Sequence, residues 1–392
     1  MNEPVSMATA APHLGLYVHL PWCTRKCPYC DFNSHTAGEA PPFIDYLDAV
    51  LLDLDRELKK ASGRAIETVF IGGGTPSLFP VSAIERLMQA LGPALAEGAE
   101  VSMEANPGSA EADRFRGYRA AGVNRLSIGV QSFDEVMLGR LGRVHGRAEA
   151  LTAAEAARDA GFRAINLDLM YGLPDQTPEQ ALADLEQALA LQTGHLSHYQ
   201  LTLEPNTVFH ARPPDLPDPD TVADMQQQCQ QALAAAGLMQ YEISAYAADA
   251  QQCRHNLNYW RFGDYLAVGA GAHGKLTHSD GRIERYRKVK IPALYMARVA
   301  EDRSDVEQRQ LEADDCVLEF MMNALRLNEG FTPALFEART GLPFGDVEAR
   351  LQDACSRKLL ARAEGHYRTT ALGRDHLDTV LAAFLPEDGH AA

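Results

Sequence analysis

Residues 14–30 read LGLYVHLPWCTRKCPYC, an apolar run (Leu14–Leu20) followed by Cys23, Cys27 and Cys30 in the spacing C-x-x-x-C-x-x-C. The run is short and stops at Pro21, which suits a buried strand with the cysteines on the loop that leaves it. Three thiolates can hold three irons of a four-iron cluster and leave the fourth iron without a protein ligand. Cubes that only carry electrons usually take four cysteines. An open iron can bind a substrate or cofactor, as a catalytic zinc keeps one position free. Taken alone, the motif also admits a zinc knuckle with His35 as the fourth ligand.

Outward from this stretch, short apolar runs alternate with Ala/Leu/Glu-rich helical patterns. The strands predicted are Gly15–Leu20, Glu67–Ile71, Glu100–Ala105, Arg125–Val130, Ala164–Met170 and Ser197–Leu203. Helical spacing covers Phe43–Ala61, Val81–Ala96, Glu111–Ala121, Asp134–Leu141, Ala148–Ala160 and Pro178–Leu191. Such alternation specifies a parallel sheet with helices outside it. Six units fall short of the eight in a closed barrel, so the expectation is an α/β fold with a partial (β/α)6 TIM-type barrel. Sites in such folds sit at the carboxyl ends of the strands. Polar motifs fall there: GGGTPS (Gly72–Ser77), Glu104 in MEANP, Gln131 in GVQSF and Asp168 in NLDLMYGLP. Each alone reads as a tight turn, a cap or a loop salt bridge. Together at one rim they point to a shared ligand that would satisfy buried polar groups.

The stretches YVHLPWCTRKCPYCDF, GGGTPS, EANP, GVQSF, LGRVH, DLMYGLP, HNLNYW and GAGAHG together resemble one branch of the radical S-adenosylmethionine (SAM) superfamily. That branch holds oxygen-independent coproporphyrinogen III oxidase and the HemW-type haem chaperones. The resemblance covers roughly residues 15–275. It implies a 4Fe–4S cluster on Cys23, Cys27 and Cys30, whose open iron is chelated by SAM; one electron then splits the sulfonium to a 5′-deoxyadenosyl radical. It further implies Tyr17, Gly73, Gly74, Thr75, Glu104, Gln131, Arg143 and Asp168 around SAM, with Arg143 suited to the carboxylate and Glu104 to the ribose hydroxyls. Within the branch, the oxidase carries a further cysteine two residues after the third, where this chain has Phe32. The oxidase also has a longer N-terminal extension than the short leader before Tyr17. Both departures match the chaperone, which implies haem as cargo and a haem-acceptor protein as partner. The segment His255-Asn256-Leu257-Asn258-Tyr259-Trp260 is a further feature of the chaperones, and it implies His255 as a haem ligand, a role histidine fills elsewhere. The alternatives are a coproporphyrinogen III oxidase acting as an oxidative decarboxylase and, further off, a radical SAM enzyme acting on RNA.

The formal charge of −17 disfavours nucleic acid or an anionic membrane bound through bulk electrostatics. No apolar stretch approaches the ~18 residues of a spanning helix, and the first residues lack a secretory pattern. Peripheral contact with a membrane-bound acceptor, and a homodimer, stay open. Seven cysteines, an odd number, do not suggest a disulfide scaffold and fit a reducing cytoplasm. Cys253, Cys229, Cys316 and Cys355 read as structural thiols. Gly269–Gly274 matches G-x-G-x-x-G, but the residues after it do not open an amphipathic helix, so it reads as a decoy for a nicotinamide site. The basic run Arg282–Lys290 reads as an exposed or edge strand. Residues 305–385 suggest helices and a hairpin of winged-helix type with an acidic surface. The expected organisation is a flexible leader (1–13), the partial barrel (14–210), a barrel extension with the HNxxYW segment (211–300) and a C-terminal, mostly helical winged-helix-like domain (301–392).

Overall fold

The structure, a computed structural model, describes residues 12–108 and 112–386. Residues 1–11 of the expected leader, and Glu111 at the start of one expected helix, lie outside the described residues. The six strands expected from the sequence appear as β1 (Leu14–Leu20), β2 (Ile66–Gly73), β3 (Leu95–Ala105), β4 (Arg125–Gln131), β5 (Ala164–Tyr171) and β6 (Gly194–Gln200). They lie side by side in chain order and pair in parallel, as helical crossovers require. Six more strands flank them: β7 (Met239–Glu242), β8 (Ala245–Ala247), β9 (Asp264–Val268), β10 (His273–Thr277), β11 (Ile283–Lys288) and β12 (Asp305–Gln310). The order across the sheet is β12-β11-β10-β9-β1-β2-β3-β4-β5-β6-β8-β7. β9 joins β1 in parallel, so the parallel part holds one strand more than six units predict. The remaining flanking pairs are antiparallel. β12 and β7 are left as edges, and the sheet stays open.

Two boundaries move for local reasons. The helix expected over Val81–Ala96 ends at Leu91, because Pro93 sits in a 3-10 turn (Gly92–Ala94) and β3 begins at Leu95. The sixth strand starts at Gly194 and ends at Gln200 rather than Leu203. His195, Ser197 and Tyr199 line a cavity while Leu196 packs in the core, an alternation of faces that an apolar-run criterion reads late.

That alternation runs through the whole sheet and decides where the site lies. Leu14, Leu16, Val18 and Leu20 of β1, with Val69, Ile71, Val101, Met103, Leu126, Ile128, Leu167 and Leu196, turn to the helices and form the main core. The helix Phe43–Lys60 meets them with Tyr46, Leu47, Val50 and Leu54, spaced three and four apart. The intervening residues turn to the concave face, which is polar: Tyr17, His19, Ser102, Glu104, Ser127, Asp168 and Ser197 all line cavities there.

The basic run does not form an edge. β11 lies between β10 and β12, and Lys288 is buried 2.8 Å from both Asp53 and Glu57 on the Phe43–Lys60 helix. A lysine this deep must be paired, and the carboxylates of a distant helix supply the partners; β12 takes the exposed edge instead. The G-x-G-x-x-G stretch leads into β10, a strand, as its decoy reading anticipates.

The C-terminal part comprises helices Ala313–Ala324, Pro333–Thr340 and Gly345–Ser356, then a hairpin of Leu360–Ala363 with His366–Thr369. It has its own core around Phe320, Phe331, Phe336, Leu351 and Tyr367. Phe262, from the segment just before β9, inserts into that core and joins the two parts. Among the described residues, no helix is long and apolar enough to cross a membrane.

Candidate cluster, cofactor and haem site

The cysteine loop is a closed excursion from the end of β1. Trp22–Cys23 pairs in parallel with His35–Thr36, and the Ala37 amide donates to the Cys23 carbonyl at 2.8 Å. The glycine run after β2 is stitched to the same loop. Gly74 donates to the Leu20 carbonyl at 2.9 Å and Thr75 to that of Trp22 at 2.7 Å. A Cβ on Gly74 would stand 2.7 Å from the Pro21 carbonyl, and one on Gly73 (φ +123°) 2.7 Å from the His19 ring. Glycine is therefore needed here to seat the cysteine loop on β2.

Cys23, Cys27, Cys30, Gly73, Gly74, Thr75, Glu104, Gln131, Arg143 and Asp168 all line one cavity of about 370 Å³ on the concave face. Arg143 places Nη1 3.7 Å from Cys27 Sγ, while Nη2 donates to Asn106 Oδ1 at 2.9 Å and to the Gly129 carbonyl at 2.7 Å. Its Nε has no partner among the described residues, which leaves a buried donor for an anionic group. Glu104 accepts from the Gly73 amide at 3.0 Å. Burial, with the nearby Asp168 carboxyl, pushes Glu104 up to about 7. Asp168 accepts from Ser127 Oγ at 3.1 Å and Asn166 Nδ2 at 2.8 Å, and burial outweighs these donors to raise it too. Gln131 is held at φ +70° where the β4–β5 register slips, a strained conformation for a side chain. Its Oε1 accepts from the Tyr199 hydroxyl at 2.9 Å.

These residues suit the groups the resemblance implies. Two buried carboxyls with raised pKa, each with protein donors, and one orphaned guanidinium nitrogen form a site suited to a polar, partly charged ligand. Among the described residues, no group of three or more His, Cys, Asp or Glu converges on a point fit for a single ion. His35, the fourth ligand of the zinc alternative, instead lies 3.3 Å from Asn33 Oδ1. A cubane spreads its sulfur donors over three irons and needs no such convergence.

Tyr17 is placed differently from the rest. It lines a second cavity of about 530 Å³, alongside His19, Tyr259, Trp260, Phe262, Tyr265, His273, Lys275, Arg285 and Lys290. Its hydroxyl is 2.9 Å from His19 Nδ1, and His19 Nε2 donates to the Asn33 carbonyl at 2.9 Å, which sets that tautomer. Phe32, Gly73, Glu104 and Trp260 line both cavities, so the two are adjacent chambers of one concave face.

His255 lines neither cavity. It is 0% exposed, with Nδ1 2.9 Å from Thr68 Oγ1 and its ring stacked on Phe70. Tyr259, one helical turn on, packs edge-on against it at 4.7 Å. Burial lowers its pKa to about 3, and its Nε2 has no partner among the described residues. Of the HNLNYW segment, Tyr259 and Trp260 reach the larger chamber and His255 lies behind them.

Several lining residues escaped the sequence reading: Asn106, Tyr199, Ser102, Arg125, Ser127, Asn166, His195 and Ser197. Alternation could have found most of them, since polar residues recur at every second position of β3 to β6. Asn106 stands in the quoted EANP.

Comparison with known proteins agrees with this geometry. Residues 17–188 match the family model described as the radical SAM superfamily, and residues 311–376 the HemN C-terminal domain. The chain is 50% identical over 378 residues to "Heme chaperone HemW" of Escherichia coli (strain K12), covering 96% of this chain and 99% of that protein. It is 33% identical to the Bacillus subtilis protein of the same name, covering 95% and 99%. Among solved structures, coproporphyrinogen III oxidase (HemN) from Escherichia coli, a radical SAM enzyme, superposes with a TM-score of 0.81 at 26% identity, covering 95% of this chain and 90% of that one. A tripartite motif, a polar concave face and near-full-length kinship thus converge: the chain belongs to the HemW family of the radical SAM superfamily.

Proposed function

We propose that this chain is a haem chaperone that carries a 4Fe–4S cluster and SAM in the smaller chamber, binds haem next to them and passes it to an acceptor protein in the cytoplasm. The observation that carries the reading is the shared wall of the two chambers, Phe32, Gly73, Glu104 and Trp260. Kinship with heme chaperones along nearly the whole chain supports it.

Cys23, Cys27 and Cys30 would hold the cluster. When bound, it supplies an open iron for the amino and carboxylate groups of SAM and an electron for the sulfonium. Arg143 orients the carboxylate through its free Nε, and Glu104 accepts from ribose hydroxyls. Thr75, Gln131 and Asp168 close the polar wall, and Tyr17 marks the border with the haem chamber. Transfer requires that one state of the protein hold haem less tightly than the acceptor does. His255 is proposed as the haem-contacting histidine. Because it lies behind Tyr259, it can reach haem only if the Arg254–Trp260 helix shifts. Phe32, 61% exposed, stands where the oxidase has its extra cysteine, so no protoporphyrinogen formation is expected under anaerobic, reducing conditions.

Anaerobic reconstitution followed by haem titration tests the reading. Wild type should carry iron and sulfide and develop a Soret band. Cys23→Ala should lose the iron and sulfide, and His255→Ala should weaken or shift the Soret band. Wild-type protein that binds zinc at the cysteines and no haem would overturn it.

A further inference from the structure

The larger chamber has a floor that the HNLNYW segment does not explain. Beside it β10 and β11 pair His273 with Arg287 and Lys275 with Arg285. Like charges facing across a ladder destabilise it unless anions intervene. Three of these cations have partners: Lys275 lies 3.2 Å from Asp264, Arg285 2.6 Å from Glu319 and Arg287 3.2 Å from Glu307. The Lys290 amine and the His273 ring have none among the described residues, and both line the chamber. Tyr259, Trp260 and Phe262 line the same chamber, and the Lys275 amine lies 4.1 Å over the Phe262 ring. In a chain with a formal charge of −17, a chamber lined by aromatic rings and by Lys275, Arg285, Lys290 and His273, against the carboxyls of Asp31 and Glu104, suits a flat ligand that carries carboxylates at one edge.

We infer that Lys290, His273 and Arg285 receive the propionate carboxylates of haem, so that the chamber distinguishes a porphyrin by its acidic edge as well as by its iron. This rests on the haem-chaperone reading and adds how the cargo is recognised. The Arg285 guanidinium is already fixed by Glu319 and lies over the Tyr265 ring at 5.5 Å. It offers a preorganised edge, while Lys290 is free to close on the ligand. His273 completes the set as a ring donor, its pKa lowered by partial burial and the Arg287, Arg285 and Lys290 charges against the opposing pull of Glu307.

The test is a titration of full-length protein with haemin and with haemin dimethyl ester, whose propionates are masked, each followed at the Soret band. Wild type should bind haemin at least about tenfold more tightly than the ester. Lys290→Glu and His273→Ala should each cut haemin affinity about five- to tenfold and leave the ester unchanged. Lys59→Glu, an equal charge change at an exposed i,i+4 pair with Asp55, should change neither. Ester bound as tightly as haemin, or both variants behaving as wild type, would overturn the inference while leaving the chaperone reading intact. Wild type that binds neither ligand removes both. Lys290 is exposed and makes no side-chain bond among the described residues, so its variant folds, and unchanged iron content after reconstitution confirms that.

Discussion

Glu104 shows what the concave face costs a single residue. Its carboxyl, buried and close to Asp168, is raised to about 7. Below about 4.5 it is protonated in the folded and unfolded chain alike. As pH rises from there, the unfolded chain ionises while the folded protein keeps its proton, so the folded state loses stability across that interval. Glu104→Gln cannot ionise. Without ligand it should be more stable than wild type at pH 8, by about 1–3 kcal/mol, with the difference vanishing near pH 4. Urea unfolding at the two pH values reads this directly; an equal difference at both would show that the carboxyl carries no buried charge. The same variant should bind SAM more weakly, since a site tuned for a ligand is strained without it. A residue that destabilises the empty fold and strengthens binding is working for the ligand.

At the scale of elements, the join between the cysteine loop and the glycine run matters most. Two main-chain hydrogen bonds, Gly74 to Leu20 and Thr75 to Trp22, hold the loop against β2. Gly74→Ala would force the new carbon against the Pro21 and Trp22 carbonyls, where nothing flexible can yield. The expected cost is about 1–3 kcal/mol, together with a marked fall in iron and sulfide after reconstitution although all three cysteines remain. Wild-type metal content in this variant would show that the loop forms without the join. The Arg254–Trp260 helix makes a second element-scale case. Gly15 leaves room for His255 and Asn258, 3.2 and 3.3 Å from where a Cβ would be. The helix therefore lies directly on β1, which is how His255 comes to be hidden.

Across the whole molecule, buried charge ties distant parts together. Lys288 of β11 contacts Asp53, Glu57 and Asp305 at 2.7–2.8 Å, and Tyr295 donates to Asp53 at 2.8 Å. Lys288→Met leaves Glu57 and Asp305 with Lys60 but buried Asp53 without a cation, at a cost of about 3–5 kcal/mol. A lowered urea midpoint checks it; a midpoint unchanged would mean that the acids take up protons at no cost. The C-terminal part reaches the smaller chamber through Arg326, which lines it with Trp260; its guanidinium lies 4.3 Å over the Trp260 ring and bonds Glu242 at 2.9 Å. Trp22 and Trp260 are the two tryptophans of the chain. In a Trp22→Phe background, Arg326→Ala should red-shift Trp260 emission and haem should quench it. Emission blind to both changes would separate the C-terminal part from the site.

The repeat of strand and helix, the order of the six barrel strands and the rim positions of Glu104, Gln131 and Asp168 were legible from the chain alone. They follow from local periodicity and from the rule that parallel strands end on one side. The cysteine spacing was equally plain, because the chemistry of three thiolates is contained within eight residues. Other outcomes depend on partners far away in the chain. The seventh parallel strand β9, the inward turn of Lys288 toward Asp53 and the seat of His255 behind Tyr259 are settled only when segments some 200 residues apart are packed together. A buried lysine and a buried histidine look like surface residues in a sequence window. Only packing, which removes water and supplies or withholds a partner, decides what each of them does.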